Sequence, residues 1–141
     1  MEVGLKRAYQ KPSLSDGARV LVDRLWPRGL KKEAARIHTW LKDIAPSTEL
    51  RQWFHARPSM WIEFRKRYLE ELRQPVPEGA LQQLYELAAA RRKVTLVFSS
   101  KNEERNNAVV LKELLDGMRK PPHSSGPIKA AAAGRVRRAA R

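Results

Sequence analysis

The chain has 141 residues, no cysteine, and 29 Lys and Arg against 15 Asp and Glu, for a formal net charge of +14. A length of this order supports one self-stabilising core, and the missing cysteine excludes disulfides, thiolate metal sites and cysteine nucleophiles together. No apolar run approaches the roughly 20 residues that span a bilayer, and the opening MEVGLKRAYQ lacks a signal-peptide core, so the expected location is the cytoplasm, away from membranes.

In chain order, VGLKRAY near the start reads as a strand, and the turn signal Ser13-Leu14-Ser15-Asp16-Gly17 leads into a second, ARVLVDRLWP. Val20, Leu21 and Val22 run together without alternation, as in a strand buried on both faces of a parallel sheet. Lys31 to Ile44 predicts a helix, because Ala34, Ile37, Leu41 and Ile44 recur at spacings of three and four before Pro46. Ser47, with Glu49 and Leu50 behind it, caps a short helix through Phe54. Pro58-Ser59 introduces another from Met60 to Leu72, closed by Pro75 and Pro77. Gly79 to Arg92 follows as a helix carrying Leu81, Leu84, Leu87 and Ala88, and KVTLVFSS from Lys93 to Ser100 repeats the buried-strand signature. Asn106 to Met118 closes the series, with Val109, Val110, Leu114 and Leu115 on its inner face.

Helical segments between apolar strands give an α/β fold: a small, mostly parallel sheet flanked by helices, in a single domain over residues 1–118. Residues 119–141 carry seven Lys or Arg, no acid and no aromatic ring, which leaves 22 basic against 15 acidic residues in the body. Such a segment cannot bury enough apolar surface to offset its ordering entropy, so a disordered basic tail is expected. It reads either as a solubilising tail or as a sequence-independent clamp on polyanions.

Ligands of open α/β sheets bind beyond the carboxyl ends of the strands, where connections leave in opposite directions. Two turns fall there. Asp23-Arg24-Leu25-Trp26-Pro27-Arg28-Gly29 puts an acid, two guanidinium groups and an indole within seven residues, and Ser99 to Asn106 offers hydroxyls, Lys101 and the start of a helix. If the two strands are neighbours, Asp23, Arg24, Trp26, Arg28, Ser100, Lys101 and Asn106 form one positively charged mouth for a phosphate, a carboxylate or a nucleic-acid backbone. Each residue also has a plainer role. Asp23 and Arg28 can pair with each other or cap a helix, Trp26 beside Pro27 can be a packing anchor, and Ser99 and Ser100 can be turn and cap residues, since no G-x-S-x-G elbow surrounds them.

The basic, aromatic stretch in which Trp53, Phe54, Trp61, Phe64 and Tyr68 interleave with Arg51, Arg57, Arg65, Lys66 and Arg67 allows stacking on single-stranded nucleic acid. Its helical periodicity assigns the rings to a buried face instead. His38 on a predicted helix, His55 in a predicted loop and His123 in the tail share no metal-ligand spacing. Walker and dinucleotide glycine fingerprints are absent, so the sequence calls for no cofactor and no metal.

Taken together, Arg19-Val20-Leu21-Val22-Asp23-Arg24-Leu25-Trp26-Pro27-Arg28-Gly29-Leu30, Trp40-Leu41-Lys42 and Ile44-Ala45-Pro46-Ser47-Thr48-Glu49-Leu50-Arg51 strongly resemble the YeaO-like family of bacterial proteins (domain of unknown function 488). The match runs on through Trp53-Phe54, Trp61, Phe64, Tyr68 and Glu71-Leu72 to the segment Asn102 to Leu111. The resemblance implies a compact α/β domain and no established activity. Members read like Ala-Arg-Asp-x-Glu-His-Asn-His after the last strand, where this chain has Ser-Lys-Asn-Glu-Glu-Arg-Asn-Asn at 100–107, so that both histidines and the aspartate are replaced. If that turn supplies a general base or metal ligand in other members, this chain has lost it, while cations suited to binding an anion remain at Lys101 and Arg105.

Three functions stay open. The first is a binding module for a phosphate-bearing ligand or nucleic-acid backbone. The second is a cofactor-independent enzyme on a small anionic substrate, with Asp23 as acid or base and Arg28 as clamp. The third is a structural partner protein.

Overall fold

A computed structural model describes residues 1–122. Four strands, β1 (Glu2–Arg7), β2 (Ala18–Leu21), β3 (Thr39–Trp40) and β4 (Lys93–Phe98), form one sheet in the order β1-β4-β2-β3, every pair parallel. β4 lies in the middle, with Arg7 opposite Phe98 on one side and Leu21 opposite Val97 on the other. That position explains its unbroken apolar run, since both of its faces are covered.

The helices are α1 (Lys32–Ala35), α2 (Thr48–Ala56), α3 (Trp61–Glu71), α4 (Pro75–Arg91) and α5 (Asn107–Gly117). α2 to α5 pack on the sheet face presented by Val3, Val20, Val94, Leu96 and Phe98, and there Phe64, Tyr68, Leu84, Leu111 and Leu115 complete the main core. The rings of Phe54, Phe64 and Tyr68 stack in series, and Arg67 lies 4.2 Å over Trp53, so the aromatic helix face is core and the basic residues stay on its wet side.

Among the described residues, the opposite face carries no long helix. Ala8, Leu21 and Val97 are covered there by Trp26, Leu30 and Ile37 from the β2–β3 connection and by Trp40 of β3. Beside them the β1–β2 connection is held by ions, for Asp16 accepts from Lys6 Nζ at 2.9 Å and from Arg19 Nη1 at 2.8 Å. Thr95 Oγ1 donates to the Asp16 carbonyl, and Arg19 Nε to that of Ala35. Arg19 is only 3% exposed. Gly17 closes this connection at φ 66°, where a Cβ would lie 2.5 Å from the Lys93 carbonyl oxygen, a place only glycine fits.

Several sequence expectations change. The helix expected over Lys31 to Ile44 is a single turn ended by Arg36 at φ 52°, followed by β3 and a 3₁₀ turn over Lys42–Ile44. The cause is the open edge of β2: His38 N donates to the Arg19 carbonyl and Leu41 N to that of Leu21, so this segment satisfies a buried ladder that a helix would leave unpaired. His38 consequently sits before a strand, while His55 falls in the last turn of α2. Pro75 begins α4 rather than closing the helix before it, at a first-turn position where its missing N–H costs nothing. On α5 the fully buried residues are Ala108, Val110, Leu111 and Leu115, with Val109 and Leu114 at the margin. The expected tail lies, from residue 123 onward, outside the described residues.

Candidate functional site

Parallel pairing puts the carboxyl ends of all four strands on one side. The connections leaving β1 and β2 pass to the face covered by Trp26 and Trp40, whereas the chain leaving β4 crosses to the α5 face. β4 therefore sits at a switch point between two strands whose loops part from its own, and the crevice beyond its end is where such sheets take ligands.

The turn after β2 is anchored at nearly every residue. Asp23 Oδ2 accepts from the Ser99 N–H at 2.8 Å, Asn107 Nδ2 donates to the Val22 carbonyl at 2.9 Å, and Trp40 Nε1 donates to the Asp23 carbonyl at 2.7 Å. Trp26 Nε1 donates to the Leu30 carbonyl, and its ring meets Trp40 edge-on at 5.5 Å, so this indole is a packing anchor. Pro27 is buried, and Gly29 turns the chain at φ 77°. Burial pushes the Asp23 carboxyl above its ordinary value, against the pull of the Ser99 N–H and the Asn107 amide.

Behind this turn, four consecutive residues are gripped by three side chains. Tyr68 donates its hydroxyl to the Ile44 carbonyl, Arg24 donates Nη2 to Ala45 and Nε to Pro46, and Glu71 accepts from the N–H and the hydroxyl of Ser47. Burial, reinforced by Asp23 and Glu71, pushes the Tyr68 hydroxyl well above its ordinary value and keeps it a donor. Much of the conspicuous sequence pattern is thus spent on holding the entry to α2, which Ser47 also caps through the Leu50 N–H.

The second loop organises itself. Ser100 Oγ accepts from Asn102 N, and Asn102 Oδ1 accepts from the N–H groups of Glu104 and Arg105. Asn106 caps α5 by accepting from Val109 N while donating to the Asn102 carbonyl, and at 4% exposure its amide has no face toward a ligand.

Of the sequence candidates, Asp23 is tied directly to the second loop, Arg24, Trp26, Ser100 and Asn106 serve the framework, and Arg28 and Lys101 remain at the surface. No Asp23–Arg28 ion pair forms among the described residues, and neither the Arg28 guanidinium nor the Lys101 ammonium has a partner among them. Sequence reasoning missed Arg7 and Tyr9. Arg7 donates Nε to the Ser100 carbonyl at 2.8 Å and Nη2 to that of Ser99 at 3.0 Å, while Tyr9 donates its hydroxyl to the Arg28 carbonyl at 2.8 Å. Both sit where β1 ends, and an RAY sequence leaving a strand was the only signal.

Among the described residues no group of acidic or histidine side chains could hold a metal ion, and no helix is long and apolar enough to cross a membrane. No solved structure matches the chain. It is 44% identical over 115 residues to the uncharacterized protein YeaO of Escherichia coli strain K12, covering 82% of this chain and 97% of that one. It is equally similar to the uncharacterized protein Rv3073c of Mycobacterium tuberculosis strain H37Rv, 94% of which is covered. The model of the inactive DUF488-N3 subclade matches residues 2–127. With its motif residues accounted for by the geometry above, the chain belongs to the DUF488 family, in that subclade, as a relative of YeaO.

Proposed function

We propose that this protein is a non-catalytic module that takes phosphate-bearing anions, nucleic-acid backbone included, in the crevice beyond β2 and β4. One observation carries the reading: the positive charge around the crevice is not neutralised. Arg7 is positioned by carbonyl oxygens, which orient a guanidinium without cancelling its charge, and the side chains of Arg28, Lys101 and Arg105 extend from the two flanking loops. Asp23, Glu103 and Glu104 are the carboxylates of these loops, so cations are in surplus.

Against catalysis stands the company of Asp23. A buried carboxyl with a raised pKa at a crevice is the mark of an acid or base, yet its contacts here are the N–H and hydroxyl of Ser99 and the Asn107 amide, with no histidine among them. The subclade's description as inactive agrees with this reading.

Titration calorimetry with inorganic phosphate and pyrophosphate tests the site. Arg28→Ala and Lys101→Ala are each expected to weaken binding by about tenfold, the loss of one charge-assisted hydrogen bond, and the affinity to fall with added salt. Unchanged affinity in both variants would sink the reading. Duplexes of unrelated sequence are expected to bind alike, since the sequence carries no helix-turn-helix or zinc-ligand signature, and a preference of about 1,000-fold would show that bases are read.

A further inference from the structure

We infer that the crevice selects nucleotides over bare phosphates, with Tyr9 as the ring on which the base stacks; this rests on the anion-binding reading above. Among the Phe, Trp and Tyr rings of the described residues Tyr9 is the most exposed, at 46% accessibility, whereas Trp26 and Trp40 at the same sheet end spend their rings on each other. It is nevertheless held at both ends. The chain before it is fixed by Ala8 N donating to the Phe98 carbonyl, and its hydroxyl donates to Arg28, which spans from the β1 loop across the end of β4 to the β2 loop.

The ring's surroundings suit a base with a phosphate attached. The Arg7 guanidinium lies 5.3 Å over the ring centroid and is itself locked on Ser99 and Ser100, and the ring stays accessible beyond it. The Arg28 guanidinium, without a partner among the described residues, belongs to the residue whose carbonyl holds the tyrosine, which puts a phosphate-binding cation next to the stacking surface. A ring already fixed loses little entropy on binding, and every base offers a face to it, so the selection is for nucleotides as a class without preference among bases.

Three probes separate the possibilities: ribose 5-phosphate, adenosine 5′-monophosphate and hexathymidylate, titrated into the full chain and into Tyr9→Leu, Tyr9→Phe and Arg28→Ala. The nucleotide is expected to bind about 5- to 100-fold more tightly than the sugar phosphate. Tyr9→Leu erases that ratio while leaving ribose 5-phosphate affinity in place, and Tyr9→Phe, which keeps the ring, retains most of it. Arg28→Ala weakens all three. Tighter binding of hexathymidylate than of the monomer marks a strand as the natural source, and equal affinity per nucleotide marks a free nucleotide. Equal binding of ribose 5-phosphate and the nucleotide overturns the role of Tyr9 alone, with the anion site intact. No binding of any probe overturns both readings.

Discussion

Arg24 and Arg28 lie four residues apart on one turn and have opposite fates. Arg24 turns inward and spends its guanidinium on the carbonyls of Ala45 and Pro46, in a clamp completed by Tyr68 and Glu71. Arg28 turns outward on a turn pinned through Ser99, Asn107, Trp40 and Tyr9, and its charge is left unspent. The difference teaches that a long, specific sequence pattern need not be a binding pattern. Most of this one maintains a rigid frame, and the part free to meet a ligand is what the frame displays.

The same contrast between used and unused charge orders the expected losses. Asp16→Ala strips Arg19 of its carboxylate in a nearly inaccessible place, and urea unfolding is expected to show a loss of about 3–5 kcal/mol. Arg24→Met is expected to lose about 2–3 kcal/mol, because two carbonyls at the entry to α2 forfeit a charged donor. Arg28→Met, by contrast, is expected to stay within about 0.5 kcal/mol of the parent. Equal losses at positions 24 and 28 would erase the division between clamp and mouth.

Two carboxyls sharpen it further through pH. Burial alone would push the Asp16 carboxyl up, but bonds from Lys6, the Ser13 N–H and Arg19 together hold it below 3.8. Its contribution is therefore complete above 3.8 and lost as pH falls through the lowered folded value. Asp23 titrates with the opposite sign. Its folded value is raised by burial, so the folded state binds the extra proton and stability falls as pH rises from 3.8 through that raised value. Urea midpoints measured across this range are expected to fall less in Asp23→Asn than in the parent, and identical slopes would show that the carboxyl is solvated. The smallest effect is expected from removing residues 123–141, since the core is closed by Leu115 and Met118: a melting temperature shifted by less than about 2 °C, and weaker binding to polyanions at low salt.

The elements with strong local signals were legible from residue types. Val20 to Val22 and Val94 to Phe98 are continuous apolar runs, Ser47 and Asn106 are helix caps, and Phe64 and Tyr68 recur at helical spacing. That the loops after β2 and β4 lie together at one end of the sheet was legible too, because parallel strands put their loops together whatever those loops contain. The other residues brought to that end were not. Arg7 and Tyr9 come from the end of β1, three strands before β4 in chain order but beside it in the sheet, and no local pattern signals a hydrogen bond between residues 9 and 28.

Sequence by itself determined the alternation of strands and helices, the surplus of positive charge and the family, because these reside in local periodicity, composition and motif. Tertiary structure alone decided that Thr39 and Trp40 are strand rather than helix, since the unpaired edge of β2 outweighs a spacing that suits either form. It also decided which of two neighbouring arginines is free. Both guanidiniums read alike along the chain, and only the carbonyls of Ala45 and Pro46, brought within reach by the fold, bind one and leave the other exposed.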